Sequence, residues 1–521
     1  MSTDYSDKDK HEDMKVLHGM GYAQELSRSM SKFSNFAISF SIICILSGGI
    51  NSFPQAIGAV GGGGAGIGWI VGCLLSAMFA LSMAQIASAF PTAGGLYHWA
   101  SILGNRFWGW LTAWLNLLGL ITVLGAINIG TAFYFQGTFG GTWLGMTTSP
   151  AWIVGFVVVI TVAQALFNHL GIKVTTMLTD ISGYIIFATT AVLVLACLYY
   201  APALDFSRLW TFKNYSGPAG GGVFPENANM GYLFLLCLLL PVYTITGYDA
   251  SAHTSEETKG AATSVPKSIV SAVLWSSLIG WVMICAIVLA IPDLDAGAAQ
   301  GFTVFFATMD AILPPTLKSV IYLGILAAQF LCGLATVTSA SRMLFAFARD
   351  GGMPVGSAAL ASVSPSYRTP VTAIWTASIL CILYVLAVSF IPVAGGSDFS
   401  LYFMVVNSTL VFLFLSFTIP LIAGVLAYGT AKWPNPGPWA MSTAVYKLVT
   451  LLSVVGMAII FFIAIQPPND KVLWIVLGFI AIALVLWVAV ENRRFEGPPT
   501  GDRIAARKAI IAAAEKAVGE A

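Results

Sequence analysis

The sequence predicts an all-α polytopic membrane protein with twelve transmembrane helices. Three observations lead there. Of 521 residues, 57% are hydrophobic and only 9% are charged, against about 25% charged in soluble domains, so the bilayer is the solvent. Twelve runs are long and apolar enough to cross a hydrocarbon core, which takes about 20 helical residues. Within lipid, backbone amides must be bonded inside their own segment, which selects helix over open strand.

The first six runs are 33–57, 67–90, 107–134, 150–170, 178–199 and 229–252; the second six are 268–291, 316–345, 370–391, 400–427, 446–466 and 472–490. Residues 1–32 are polar and of mixed charge, with no apolar core of a cleavable signal, so the first span is expected to serve as its own insertion signal. With the N-terminus inside, all but four of the 24 Lys and Arg fall on the side of the termini, the four being Arg208, Lys213, Lys318 and Lys471. The positive-inside rule therefore puts both termini in the cytosol. The expected location is a plasma membrane or a bacterial inner membrane.

Net charge is +1, so no basic field points to nucleic acid, which is excluded as a partner. The seven cysteines all fall in apolar stretches without a CxxC, and the five histidines show no metal spacing. Neither a disulfide framework nor a metal site is expected, and no cofactor. The sequence sets no oligomeric state. Glycines at 61–64 and 66 form a rich turn without the Lys-Ser/Thr of a phosphate loop, and read as a hinge or a close approach. Gly68 and Gly72 form a GxxxG suited to tight helix packing. The tail from Arg503, RIAARKAIIAAAEKAV, reads as a helix able to lie on the inner leaflet.

Two spans are interrupted at matching places. Span 1 carries Ser47-Gly48-Gly49-Ile50-Asn51 in its middle third, where each glycine costs a helix about 1 kcal/mol. Span 6 carries Pro241, then Tyr243-Thr244-Ile245-Thr246-Gly247-Tyr248-Asp249. Proline removes a helical hydrogen bond, and Gly247 allows unwinding just before an acid. An unpartnered carboxylate at bilayer depth costs ~2.5–3.5 kcal/mol. The expectation is that span 6 stops near Thr246 and restarts at Asp249, with Asp249 capping the free amides of Ser251 and Ala252. Interrupted helices five spans apart, in corresponding halves, mark inverted-repeat secondary transporters.

At these residues the chain resembles the amino acid–polyamine–organocation superfamily, and within it the amino acid/choline branch. The likeness is carried by SMSKFSNFAISFSIICILSGGINSF, PTAGGLYHWAS, YTITGYDASAHTSEET and VTSASRMLFAFARDGGMP, and runs from about Ser27 to Pro498. The resemblance implies a LeuT-type core of two five-helix inverted repeats plus two extra helices. The parts would be a cytosolic tail (1–32), a first repeat (33–199), an outer loop (200–228), a second repeat (229–427), spans 11 and 12 (428–490) and a second cytosolic tail (491–521).

It also implies a substrate held between the two breaks. A carboxylate would meet the amides around Ser47, Gly48 and Gly49, as a helix N-terminus favours, and an ammonium the carbonyls of Ile45, Tyr243 and Thr246. Gly48 stands where many members have Ser. Tyr243 occupies the place of an aromatic lid, and Thr244, Gly247 and Tyr248 complete the second break. Thr112 and Asn116 of span 3, Gln329 and Thr336 of span 8 and Asn407 of span 10 are further candidates, each also able to serve as helix-to-helix glue.

Coupling rests on fewer residues. The resemblance places a lysine of proton-driven members near Ile186, which is apolar, and Asp180 lies close to the end of span 5. Asp249 and His253, at i and i+4 on one helix face, are the candidate proton-binding pair; exchange or facilitated movement is the alternative. Glu256 and Glu257 close span 6, Arg342 and Arg349 close span 8, and Arg28 and Lys32 precede span 1. They are candidates for an inner gate of ion pairs.

The expected activity is transport of a small amino acid or GABA by alternating access. A quaternary amine such as choline, held on the faces of Tyr243, Tyr248, Trp110 and Trp114, is the second transport reading. A nutrient sensor sharing the site is a different class. No nucleophile lies beside a base at helical spacing, so no catalytic residue is assigned and an enzyme is not expected.

Overall fold

The structure is a computed structural model that describes residues 7–139, 149–389 and 398–518; the end of the ninth expected span, 390–391, lies outside them. Ten helices among these residues are long and apolar enough to cross a membrane, eleven if one bent pair is counted as a span. That pair is α1 (Lys32–Ile43) and α2 (Gly48–Val60), bent by 40° at the break between them. Next come α3 (Trp69–Ala89), α4 (Arg106–Phe135), α5 (Pro150–His169) and α6 (Ile172–Tyr200). The sixth segment is in three pieces, α7 (Met230–Cys237), α8 (Leu239–Thr244) and α9 (Ala250–His253). The rest are α10 (Ala261–Ala290), α11 (Pro315–Arg349), α12 (Val371–Ser389), α13 (Asp398–Ala427), α14 (Thr443–Ala464) and α15 (Lys471–Leu486).

Local chemistry sets many helix starts. Ser31 caps α1 by accepting from the Ser34 amide, and Asn105 caps α4 through the amides of Phe107 and Trp108. Ser149 does the same for α5, with Pro150 in the first turn, where its missing amide costs nothing. Several helices begin before the apolar pattern does: α6 at Ile172 and not 178, α10 at Ala261 and not 268. Their first two turns carry Lys173 and Lys267, which read as loop although they continue the helix.

The bundle is ordered by burial. In α4 the apolar stretch is 89% buried inside the protein, in α15 only 17%. So α4 is the axis, packed along α13 and α11, while α15 lies at the rim with Trp474, Ile482 and Val485 turned outward to lipid. Buried polar side chains tie the axis together: Asn128 donates to Thr161 and Gln164, and Thr338 donates to Asn168. This is the use that helices in lipid make of such residues.

The GxxxG of α3 packs on the broken sixth segment. A Cβ at Gly72 would stand 2.4 Å from Pro241, and one at Gly68 2.6 Å from the Cys237 sulfur. The glycine-rich turn serves close approach: Cβ atoms at Gly62 and Gly66 would sit 2.3 and 2.1 Å from the carbonyls of Arg208 and Leu209.

The two ends of the chain meet on one face, here the terminal face. The tail helix α16 (Lys508–Val518) brings Glu515 to His18 at 2.7 Å and to the Gln24 amide at 2.9 Å. It rests against the N-terminal segment, a contact that its amphipathic pattern did not disclose.

Candidate functional site

The first break falls at Cys44–Ser47, ahead of the glycine pair. Cys44 adopts φ +26°, and its carbonyl accepts from the amides of both Ser47 (2.7 Å) and Gly48 (3.0 Å). That corrects the expected amide set. Ser47 and Gly48 are already bonded, and Ser47 makes no side-chain cap. The amides of Gly49 and Ile50, in the first turn of α2, take no acceptor among the described residues.

The second break runs from Ile245 to Asp249, with Gly247 at φ +85°. A Cβ there would lie 2.2 Å from Ile42 Cγ2, so glycine is required twice, for its backbone and for its neighbour. The two breaks touch: a Cβ on Gly48 would be 2.9 Å from Thr244 Cα. This contact leaves no room for a side chain at 48. Thr246 donates to the Tyr243 carbonyl at 2.7 Å and Thr244 to that of Leu240. The carbonyls of Ile45 and Thr246 accept nothing among the described residues.

Asp249 does open α9, but its carboxylate does not cap it. The Ser251 amide is taken by the Ser39 hydroxyl, and that of Ala252 by the Asp249 carbonyl. The carboxylate turns instead to Asn116 (3.1 Å) and His253 (3.2 Å), all three buried. Two side-chain partners, one across the bundle and one along the segment, take the place of the helix's own amides around this buried group.

The remaining candidates divide. Asn116 joins Asp249 and Ser416, and Gln329 reaches the Leu46 carbonyl in the first break at 3.4 Å. Tyr243, 5% exposed, stands beside Tyr402. Thr112, Thr336 and Asn407 donate to their own helices, to the carbonyls of Trp108, Cys332 and Phe403. Five buried polar atoms here have no hydrogen-bond partner among the described residues: Asp249 Oδ1, Asn116 Oδ1, Gln329 Oε1, Asn407 Oδ1 and the Tyr248 hydroxyl. Unpaired groups in a membrane bundle are expensive, and these five lie on the helices around the breaks, where a polar solute could pair with them. A small cavity, about 20 Å³, adjoins the first turn of α2 and is lined by Asn51, Gly130, Phe305 and Tyr402 among others. It has room for about one water.

Below the breaks, towards the terminal face, the expected ion pairs form and are buried. Arg342 holds Glu257 through two bonds of 3.0 Å, and Arg349 holds Glu256 at 2.8 and 2.9 Å. Arg28 joins this layer by donating to the carbonyls of Thr258 (2.7 Å) and Ser255. Lys32 does not; its side chain is exposed. Met30 pairs with the segment after Glu257 through backbone bonds of 2.8 and 3.0 Å. Sequence reasoning missed Asp350, which accepts from Tyr22 and Tyr97, and the stacking of Arg349 over the Tyr22 ring at 4.0 Å. No spacing signals contacts that join a tail to helices this far away in the chain.

Burial pushes the Glu256 carboxyl up, but the charge and hydrogen bonds of Arg349 and the Ala93 amide outweigh it and hold it below its ordinary value of 4.5. A carboxyl lowered on folding stabilises the fold above its unfolded pKa and loses that contribution as pH falls through the folded value. Thermal unfolding of the purified protein is therefore expected to shift to lower temperature below pH 4.5. Glu256→Gln should flatten that acid slope; an unchanged slope would count against the assignment.

A membrane-embedded helical bundle with two facing helix breaks and a buried polar region defines a solute carrier. The chain matches the sequence model of the amino acid permease family over residues 30–490. It is 32% identical to amino-acid permease BAT1 of Arabidopsis thaliana, over 92% of this chain and 95% of the relative. It is also 29% identical to the GABA-specific permease of Saccharomyces cerevisiae, over 70% of this chain and 65% of the relative. The chain belongs to the amino acid permease family, within the amino acid–polyamine–organocation superfamily. It is an integral, multi-pass amino acid transporter and not an enzyme.

Proposed function

We propose that the protein is a secondary transporter moving a small zwitterionic amino acid or GABA by alternating access, through twelve spans arranged as two inverted five-helix repeats and two outer helices. The terminal face is cytosolic in this reading, in a plasma membrane or a bacterial inner membrane. The substrate carboxylate lies on the amides of Gly49 and Ile50, and its ammonium on the carbonyls of Ile45, Thr246 and Tyr243, under the Tyr243 ring. One observation carries the reading: the two breaks lie in contact, one offering unbonded amides and both offering unbonded carbonyls, inside a closed bundle. The GABA-specific permease among the relatives supports GABA as a candidate.

The buried Glu256–Arg349 and Glu257–Arg342 pairs act as the inner gate, closed in this conformation. The choline reading has less support, since Trp110 packs on Trp487 and Trp114 on Phe347, at ring separations of 5.3 and 6.0 Å. Those faces serve the protein itself. The test is uptake of labelled GABA, alanine, glutamate, arginine, choline and ethanolamine into liposomes holding the purified protein, with and without a pH gradient. Uptake of GABA or alanine is expected, and Tyr243→Ala should raise the half-saturating concentration. Choline uptake alone would favour the amine reading, and binding without flux would make the protein a sensor.

A further inference from the structure

Both ring nitrogens of His253 face groups that accept. Nδ1 lies 3.2 Å from the Ala93 carbonyl and Nε2 3.2 Å from Asp249 Oδ2, and neither side chain has any exposed surface. A neutral imidazole carries one N–H, and an ionised carboxylate carries none. The Ala93 carbonyl can only accept, so Nδ1 bears a hydrogen. The contact between Nε2 and Oδ2 then needs a proton of its own, as imidazolium facing carboxylate or as imidazole facing carboxylic acid. Without it two lone pairs would face each other in a fully buried site. Turning the ring over would set carbon atoms against both acceptors and lose both bonds. The Asn116 amide donates to the same Oδ2, at 3.1 Å, and does not supply the missing hydrogen.

We propose that Asp249 and His253 form a proton-binding site, loaded in this conformation, through which proton movement is coupled to transport. The inference rests on the transporter reading above. The pair connects directly to the inner gate. Ala93, whose carbonyl accepts from His253, donates its amide to Glu256 Oε1 at 3.0 Å, and that oxygen takes Arg349 at 2.8 Å. The turn at residues 91–95 brings Ala93 in: Gly95 has φ +47°, and a Cβ there would crowd the imidazole at 3.3 Å. Proton loss sets the Nε2 lone pair against Oδ2 and pushes apart a pair whose imidazole is tied through Nδ1 to Ala93, the residue that also holds Glu256. The proton passes from water to the pair on one side and from the pair to water on the other, with no other bond made or broken.

The surroundings contain few competing groups. Tyr248 adjoins Asp249, and Glu256 and Glu257 follow on the same segment, both committed to arginine. Helix α11 contributes Arg342 and Arg349, and the short helix Gly95–Trp99 contributes Tyr97 and His98, the latter bonded to Thr92. The charged residues of the other packed helices lie at helix ends or on outer faces: Lys32 of α1, Arg106 of α4 and Lys267 of α10. Helix α13 offers Ser416.

The test uses the full chain with Asp249→Asn and His253→Gln. In detergent, the acid-minus-alkaline infrared difference spectrum is expected to carry a carboxylic-acid or imidazolium signal that both variants abolish. In liposomes with a trapped pH dye, labelled alanine uptake should bring protons inward, and the ratio of protons to alanine should fall to zero in either variant. Spectra unchanged in both variants, or a wild-type ratio in both, would overturn the proton site. Absence of both alanine and GABA flux in the unaltered protein, with the infrared signal present and lost in both variants, would instead sink the transport reading and leave the proton site standing.

Discussion

Replacing Arg342 with Ala is expected to destabilise the protein by about 3–5 kcal/mol, the usual consequence of stranding one member of a buried pair. Arg342 and Glu257 have fully buried side chains and meet through two bonds of 3.0 Å. Removing the guanidinium leaves a carboxylate with no water and no equivalent donor. The double replacement of Arg342 and Glu257 by Ala should cost less than Arg342→Ala alone, because no charge is then left unmatched. The control is the pair Arg503–Glu496, whose side chains are 44% and 78% exposed; breaking it should change stability by about 0–1 kcal/mol. Equilibrium unfolding in mixed micelles reads all three. Equal small losses at both pairs would show that the gate layer is solvated, contrary to its burial.

Replacing Gly48 with Val should abolish transport while leaving the bundle assembled. A Cβ at 48 meets Thr244 Cα at 2.9 Å, which is backbone and has nowhere to turn. The added volume separates the two breaks at the point where the substrate is proposed to lie. Misplacement by about 1 Å in a site of this kind costs about a hundredfold in rate. Gly247→Ala acts on the facing break, adding left-handed strain of about 1–3 kcal/mol to a contact 2.2 Å from Ile42 Cγ2. Size-exclusion profiles separate loss of function from loss of fold. A variant at Gly48 that elutes as the unaltered protein and still transports at full rate would remove the breaks from the mechanism.

The membrane bundle was legible because its cause is composition: lipid-facing helices must be apolar, and Leu, Ile and Val written over twenty residues leave no other solution. The breaks were legible for the opposite reason. Gly48, Gly49, Pro241, Gly247 and Asp249 are each a poor choice for a continuous helix in lipid, and five poor choices gathered at two places need a purpose. The sequence did not yield the register within each break. Gly48 and Gly49 draw attention as the flexible residues, yet the chain turns four residues earlier, at Cys44. The glycines serve instead as small residues where helix meets helix, and sequence alone does not separate those two uses.

The wiring of Asp249 escaped for a similar reason. Its capping role follows from local preference, but Asn116 and His253 compete for it, and Asn116 lies on a distant helix. The proposed gate shows both sides of this. Four charges at two span ends, Glu256, Glu257, Arg342 and Arg349, were identifiable as partners by sign and depth. Their burial under the N-terminal segment, with Tyr22 against Arg349 and Glu515 against His18, depends on tails whose polar composition reads as solvated chain.

Peptide groups of the two broken helices are proposed to hold both ends of a zwitterion. This is tested most directly by labelled alanine uptake in liposomes, competed by unlabelled alanine and by alanine methyl ester, which keeps the ammonium and blocks the carboxylate. Alanine is expected to compete and the ester is not, because the amides of Gly49 and Ile50 then have no anion to bind. Equal competition by the two compounds would contradict it.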